Sequence, residues 1–514
     1  MKLSVLFETM RTVVLSGGSR ESSAGAMNIC VTAIDHRSDH VRPGSLFVAI
    51  KGEHADGHSF ISDAVTRGAA AVVVERDVPV PGGVVRIRVS NSRKALGLAA
   101  ACFYGQPTHN LVTVGITGTN GKTTIAYLIE QILAVQGIKT GVIGTINYRY
   151  NGEVFENPLT TPEALELQRI LADMRNAGMT HAVMEVSSHG LELERVSGCA
   201  FDIAVFSNLS QDHLDFHRDM EAYGNAKKRL FMDYLHPKKG RACAAVIHTA
   251  DAAGRQLAAQ LDHCQVIRLG PGAENTIYPK DAHFDQSGIR AEIQTPAGEI
   301  AIRSRLVGRF NLENILCAVG AALALDVPAA AIQAGIESFL NVPGRLERID
   351  DPAGRHVFVD YAHTPKALEN VLETLREINA GRLICIFGCG GDRDADKRAK
   401  MGEIAARLSD IVVITSDNPR TEPPQDIIAA IQTGVHRILP RQMSAPQLVD
   451  SGGGPASYVV EPDREQAIFL GIRAAKPGDT VLVAGKGHEP YQLVGRAVLA
   501  FDDRKTARRG LGLN

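Results

Sequence analysis

The sequence predicts an α/β protein of three domains, and three observations predict it. At 514 residues the chain exceeds one ordinary core, since domains run to about 100–200 residues. From residue 111 onward, apolar runs that read as strands alternate with helical patterns, the signature of βαβ units in a mostly parallel sheet. Two turn clusters interrupt the pattern, GQPTHN just ahead of an apolar run and NVPGRLER near 341, and polar turn-rich clusters mark boundaries. The expected division is 1–109, 110–341 and 342–514.

Composition narrows the class. Apolar residues make up 45% and charged residues 22%, ordinary for a globular chain. Lys+Arg 55 against Asp+Glu 57 leaves a net charge of −2, without the basic excess of nucleic-acid readers. Glu8 and Arg11 interrupt the apolar N-terminus, which argues against a cleaved signal peptide. No apolar run approaches the roughly 18 residues of a membrane helix, so no membrane insertion is expected. Eight cysteines lie singly, the nearest pair, Cys385 and Cys389, being C-x3-C without a partner pair. That supports neither a zinc site nor a disulfide framework and predicts a reduced, cytoplasmic protein.

The elements follow in order. In the first segment SLFVAIKG (45–52) and AAAVVVE (69–75) read as strands between turns. In the second, LVTVGI, HAVMEV and DIAVFSN each run into a polar loop; in the third, RHVFVDY, RLICIFG, DIVVITS and DTVLVAGKG do the same. Ligands of open α/β sheets bind beyond the carboxyl ends of the strands, so these loops are the candidate sites.

The first of them, GITGTNGKTT (115–124), departs from Walker A. That motif needs a glycine five residues before its Gly-Lys pair, and Ile116 stands there, with glycines at 115 and 118 instead. Yet strand, Gly-rich turn, Gly-Lys-Thr-Thr and helix follow one another, and backbone N–H groups at a helix start favour anions. Lys122 would reach the β/γ-phosphates and Thr123 would hold Mg2+.

TGTNGKT resembles the ATP loop of the Mur ligase family and its folylpolyglutamate synthetase relatives. The resemblance implies that Gly118, Thr119, Asn120, Gly121, Lys122, Thr123 and Thr124 bind ATP, with Asn314 of FNLENILCAVGAALAL and Arg345 of VPGRLER also at the nucleotide. In MEVSSHGL it makes Glu185 a Mg2+ ligand, and in SNLSQDHLDFH it makes His213 the ligand of a second metal. On its residues alone DHLDFH reads equally as a solvated helix start. In AYGNAKKRLF the match is Lys227, carbamylated by CO2 in the family; a carbamate offers the oxygen that a hard cation prefers. Two Mg2+ are thus implied, held by Thr123, Glu185, His213 and Lys227, with Lys122, Lys227, His213 and Glu185 as the catalytic set.

VPGRLER, VDYAHTP, GCGGDRD, DNPR and GKGHE resemble family members that add the third residue of the peptidoglycan stem peptide. This implies a UDP-binding N-terminal α/β domain, a central P-loop-type ATPase domain and a C-terminal Rossmann-like domain, in a cytoplasmic monomer. The implied reaction joins meso-diaminopimelate to UDP-MurNAc-L-Ala-D-Glu at the expense of ATP, through an acyl phosphate. DNPR marks diaminopimelate in that family, and a guanidinium binds the second carboxylate bidentately. The implied contacts are Arg393, Asp417, Asn418, Pro419, Arg420, Gly485 and Glu489. His363 reads as a proton carrier or as a structural histidine.

For UDP-MurNAc-dipeptide the implied contacts are His36, Thr160, Thr161, Ser187, Leu193 and Arg195. Two depart from the pattern: His36 replaces a serine in Asp-Ser-Arg, and Leu193 stands where many members carry a polar residue. The rivals are the same fold adding L-lysine or another diamine, a folylpolyglutamate-type ligase, and a non-catalytic nucleotide switch that releases no phosphate.

Overall fold

The computed structural model describes residues 1–20, 28–52, 55–81, 84–238, 240–450 and 456–513. Residues 53 and 54, within the stretch 42–61 that carries the N-terminal family likeness, lie outside the described residues. The chain divides into two compact units, one of Met1–Pro279, Gln294–Gly298 and Glu313–Gly335, the other of Lys280–Ile293, Glu299–Leu312 and Ile336–Asn514.

The first unit holds two sheets. β1 (Val14–Arg20), β2 (Ala33–Asp35), β3 (Ser45–Val48), β4 (Ala71–Val74) and β5 (Val85–Val89) lie in the order β1-β5-β4-β3-β2, antiparallel at β1 and otherwise parallel. β3 and β4 are the strands that the sequence predicts there, and every residue of both is buried. A strand buried along its whole length fits a sheet covered on both faces, and each fully buried Val or Leu stabilises by about 1.5–3 kcal/mol relative to exposure.

The second sheet contains β6 (Val112–Thr117), β7 (Thr140–Ile143), β8 (Tyr148–Tyr150), β9 (Glu153–Phe155), β10 (His181–Glu185), β11 (Ile203–Phe206), β12 (Ala244–His248) and β13 (Gln265–Leu269). Their order is β13-β12-β11-β6-β10-β7-β8-β9. The run from β13 to β7 is parallel, as the alternation predicts, while β8 and β9 extend the edge antiparallel. β6 therefore sits centrally, between β11 and β10, so the loops leaving all three strands start side by side. The helix Ser92–Phe103 approaches the segment 194–198 so closely that a Cβ on Gly97 would collide with the Ser197 carbonyl.

Strands β14 (Tyr278–Asp285), β15 (Gly288–Thr295) and β16 (Gly298–Ser304) form a separate three-stranded sheet, where the sequence reading extended the parallel sheet. Burial alternates along β15 and β16, the period of a sheet with one exposed face. In the second unit β17 (Glu347–Asp350), β18 (His356–Asp360), β19 (Leu383–Phe387), β20 (Ile411–Ile414), β21 (Ser457–Val460) and β22 (Thr480–Ala484) lie in the order β17-β18-β22-β19-β20-β21. All neighbours are parallel except β17 with β18. Two apolar clusters cover its faces. A hairpin of β23 (Tyr491–Val494) and β24 (Ala497–Ala500) completes the chain's strands among the described residues. No described helix is long and apolar enough to cross a membrane, and the eight cysteines are free thiols.

Candidate active site

β6 ends at Thr117, four loop residues follow, and a helix begins at Lys122. Gly118 has φ 143° and Gly121 φ 88°, backbone that side chains rarely adopt. A Cβ on Gly118 would collide with Ser207 Oγ, and one on Gly121 with Asn314 Oδ1. The glycines thus admit two neighbours to the loop, and Asn314, expected at the nucleotide, packs directly on Gly121. The loop is laced to the segment after β11. Thr119 N donates to Asn208 O at 2.9 Å and Asn120 N to Asn208 Oδ1 at 3.0 Å, while Ser207 Oγ donates to Asn120 O at 2.6 Å. Thr124 is buried in the helix's first turn.

Two lysines converge on this loop. Lys122 Nζ donates to the Gly118 and Thr119 carbonyls, each at 2.9 Å. Lys227, from the helix Met220–Asp233, is 1% exposed and donates to the same Gly118 carbonyl at 2.8 Å, its Nζ 4.2 Å from the Tyr223 ring. Asp219 caps that helix by accepting from Ala222 N. Burial first, and then the charge of Lys122, hold the Lys227 amine well below the ordinary lysine range. Both effects disfavour a charged ammonium.

Glu185, at the end of β10 and 1% exposed, accepts from Thr123 Oγ1 at 3.0 Å and from Thr145 N and Oγ1 at 2.9 Å each. A carboxylate and a hydroxyl oxygen 3.0 Å apart beside a phosphate loop fit Mg2+, which takes one or two carboxylates and completes its shell with phosphates and water. His213 occupies left-handed backbone at φ 54°. Its ring centre lies 4.9 Å from that of His189 and 6.1 Å from that of Tyr223. Burial lowers its pKa, disfavouring the charged imidazolium. His189, pushed to about 4 by burial and then by His213 and His217, is neutral. Among the described residues no three His, Cys, Asp or Glu side chains form a metal cage. A carbamate on Lys227 would add the oxygens that a hard cation prefers and that the amine lacks.

Across the β10 rim, Thr161 Oγ1 donates to Glu185 O at 3.0 Å and lies 3.2 Å from Ser187 Oγ, and Thr160 Oγ1 lies 3.1 Å from Thr145 Oγ1. Arg195 contacts Thr161 O at 3.2 Å and Glu163 at 2.9 Å. His36 is half-buried near Glu163; burial lowers its pKa, and its buried Nδ1 has no hydrogen-bond partner among the described residues. Leu193 ends the short helix Ser188–Glu192, half-exposed. The structure thus joins Thr160, Thr161, Ser187 and Arg195 into one strip beside Glu185. It adds Thr145 and Glu163, which sequence reasoning did not single out; Glu163 adjoins the Thr-Thr-Pro motif, which was the available signal.

In the second unit the strand-end loops of β18, β19, β20 and β22 meet. Arg420 takes left-handed backbone, φ 51°, fixed by its N donating to Leu493 O at 3.0 Å and by Gly495 N donating to its carbonyl at 2.6 Å. Its guanidinium donates to Gly391 O at 2.7 Å. Arg393 is exposed on the neighbouring loop, and both arginines flank Gly390. Neither forms an ion pair among the described residues. Asn418 Nδ2 donates to Glu489 Oε2 at 3.0 Å, and Pro419 is buried between Asn418 and Arg420. Gly485, φ 120°, leaves no room for a Cβ beside the Asp417 carboxylate. Arg345 lies 5.1 Å over the Tyr361 ring, its buried Nε unpartnered among the described residues. His363 is exposed, with Nδ1 2.8 Å from Tyr361 O.

Two buried cations support these loops: Arg464, which sequence reasoning missed, and Lys486, which it placed in the GKGHE loop without a role. Arg464 is fully buried on Asp503 at 2.7 and 2.8 Å and also donates to Ser416 O at 3.1 Å and Ala484 O at 3.0 Å. Lys486 is fully buried against Asn418 and Glu489.

Comparison with known proteins shows the family. Residues 31–104 match the family model described as Mur ligase family, catalytic domain; 116–322 match Mur ligase middle domain; 344–487 match Mur ligase, glutamate ligase domain. A relative from Geobacter metallireducens, named UDP-N-acetylmuramoyl-L-alanyl-D-glutamate–2,6-diaminopimelate ligase, is 47% identical over 94% of both chains. A relative of the same name from Synechococcus elongatus is 42% identical over 99% of both. A solved structure of an enzyme of that name matches with TM-score 0.69 and 32% identity over 94% of this chain and 95% of that one. The MurF ligase of Thermotoga maritima, solved in complex with ADP, shares the fold at TM-score 0.60 and 20% identity, over 93% of this chain and 98% of that one. With all three family models matched in order along the chain, the protein belongs to the Mur ligase family.

Proposed function

We propose that the chain is an ATP-dependent ligase that adds meso-diaminopimelate to the D-glutamyl side-chain carboxylate of UDP-MurNAc-L-Ala-D-Glu in peptidoglycan synthesis. One observation carries the choice of amino acid. Arg393 and Arg420 flank Gly390 and form no ion pair among the described residues, their charges reaching Asp392 only beyond ion-pair distance, the setting for a substrate carboxylate that L-lysine lacks. The named relatives support the same reading. With it goes the division into 1–109 for the UDP-linked substrate, 110–341 for ATP and 342–514 for the amino acid, working in the cytoplasm as a monomer.

A carboxylate does not acylate an amine until one of its oxygens becomes a leaving group. A glutamyl carboxylate oxygen attacks the γ-phosphorus, the bond to the β,γ-bridging oxygen breaks, and ADP departs. The free amine of diaminopimelate then attacks the acyl carbon, loses a proton, and the tetrahedral intermediate collapses by breaking the C–O bond to phosphate. Lys122, anchored on the loop carbonyls, holds phosphate charge during transfer, as fixed cations do in this chemistry. Thr123 and Glu185 would hold one Mg2+, and His213 with carbamylated Lys227 a second; when bound these supply charge neutralisation at the phosphates. Gly118 to Thr124 with Asn314 and Arg345 orient ATP. His36, Thr160, Thr161, Ser187, Leu193 and Arg195 orient the UDP-linked substrate. Asp417, Asn418, Gly485 and Glu489 seat the far amino-acid group of diaminopimelate.

The test is phosphate release with ATP, Mg2+ and UDP-MurNAc-L-Ala-D-Glu, comparing meso-diaminopimelate with L-lysine. Release with diaminopimelate alone is expected. Preferential release with lysine would overturn the assignment to Arg393 and Arg420, and release with neither would overturn the substrate assignment.

A further inference from the structure

Lys486 follows β22 in the strand-end loop and is 0% exposed. Its Nζ donates to Asn418 Oδ1 at 3.0 Å and to Glu489 Oε2 at 3.1 Å, and lies 5.5 Å from the Tyr491 ring. A desolvated ammonium is costly unless paired and hydrogen-bonded, and among the described residues Glu489 is its one recorded ion-pair partner.

Geometry then fixes the rest. Asn418 Oδ1 accepts from both Lys486 and Leu493 N, the latter at 2.9 Å, so the amide nitrogen must face the other way. It donates to Glu489 Oε2 at 3.0 Å. Oε2 is thereby engaged twice, by Lys486 and by Asn418, while Oε1 has only a long contact, 3.4 Å, to the Tyr361 hydroxyl. One carboxylate oxygen is held back and the other is turned out as an acceptor. The Asp417 carboxylate lies beside Gly485 in the same loop cluster, and the Asp417 carbonyl accepts from Gln492 Nε2 at 2.7 Å.

We propose that Lys486 is a positioning residue of the amino-acid pocket, clamping Asn418 and Glu489 so that Glu489 Oε1 receives the ammonium at the far centre of the incoming diamino acid. The proposal rests on the amino-acid pocket described under the proposed function and adds a residue to it. Lys486 does not touch the substrate; it acts through Glu489. The groups that face Glu489 are Lys486 on its own loop, Asn418 after β20, Tyr361 after β18, Tyr491 on β23 and Arg464 on the helix Arg464–Ala474.

The experiment uses the full-length enzyme with ATP and UDP-MurNAc-L-Ala-D-Glu, titrating meso-diaminopimelate for wild type, Lys486→Met, Glu489→Gln and the double variant. Wild-type turnover comes first, because its absence would refute the proposed function rather than the role of Lys486. Lys486→Met is expected to raise KM for diaminopimelate about tenfold and to leave KM for ATP within about twofold. In the Glu489→Gln background the same substitution should change KM by less than about twofold, as coupled neighbours do. Equal losses in both backgrounds, an unchanged KM for diaminopimelate, or matching rises for all substrates would overturn the proposal. Should Lys486→Met alone fail to fold, Glu489→Gln against the double variant decides: equal KM values support it, and a further loss overturns it.

Discussion

The Gly118 carbonyl accepts from two lysines at once, Lys122 at 2.9 Å and Lys227 at 2.8 Å. Burial, and then the charge of Lys122, hold the Lys227 amine well below the ordinary lysine range. Both favour the neutral amine, the form able to take up CO2. With 13C-bicarbonate, a carbamate resonance is expected in wild type and absent in Lys227→Met, with phosphate release lower by about 10²-fold or more in the variant. A resonance that survives in the variant would contradict the assignment.

The same shift has a signature in stability. A lysine whose folded pKa is depressed binds fewer protons folded than unfolded, so stability rises with pH between its folded pKa and the unfolded value of about 10.4. It is penalised progressively as pH falls through that window. In CO2-free buffer, unfolding midpoints of wild type should climb across the alkaline range, and Lys227→Met should flatten the climb. Parallel curves for the two proteins would sink this account.

Gly121 combines a left-handed backbone with contact to Asn314. Gly121→Ala adds strain of about 1–2 kcal/mol and displaces Asn314. Calorimetric ATP affinity should fall about tenfold or more, while KM for diaminopimelate stays near wild type. Unchanged ATP affinity would show that the loop tolerates the methyl.

Arg420 is held in left-handed backbone by Leu493 and Gly495, with its guanidinium on Gly391 O. Arg420→Ala should cost about 2–5 kcal/mol of transition-state stabilisation with diaminopimelate, the cost of truncating one partner of a charge pair. Whatever turnover exists with L-lysine should hardly move. Parallel losses in kcat/KM for both amino acids would mean that Arg420 supports the loop and does not read a carboxylate.

Arg464 and Asp503 form a fully buried pair. Breaking it with Arg464→Met should destabilise by about 3–5 kcal/mol by urea unfolding, since an unpaired charge is left inside. Adding Asp503→Leu should recover more than half. No recovery would assign the loss to the backbone bonds of Arg464 to Ser416 and Ala484.

The site was legible in the sequence where chemistry sits at strand ends. Lys122 lies in the loop and helix start after β6, Glu185 ends β10 and Asp417 lies in the loop after β20, and each parallel sheet gathers such strand-end positions on its own rim. Arg464 and Glu163 were not legible as parts of the sites, and Lys486, though within the GKGHE loop, had no legible role, because what they do comes from burial and from partners 39, 32 and 68 residues away: Asp503, Arg195 and Asn418. The three-stranded sheet was readable in principle. GIRAEIQT and GEIAIRS alternate with the period of two that burial later shows, but the reading of that region followed the helix-strand alternation around it. The same holds for the antiparallel edge of β8 and β9, whose strands are only three residues long.

The most direct test follows atoms through the reaction. With oxygen-18 in both positions of the D-glutamyl side-chain carboxylate, the enzyme is given ATP, Mg2+ and meso-diaminopimelate, and the products are weighed by mass spectrometry. An acyl phosphate requires one label to leave in inorganic phosphate and one to remain in the new amide. Amide product with no label in phosphate would contradict the account.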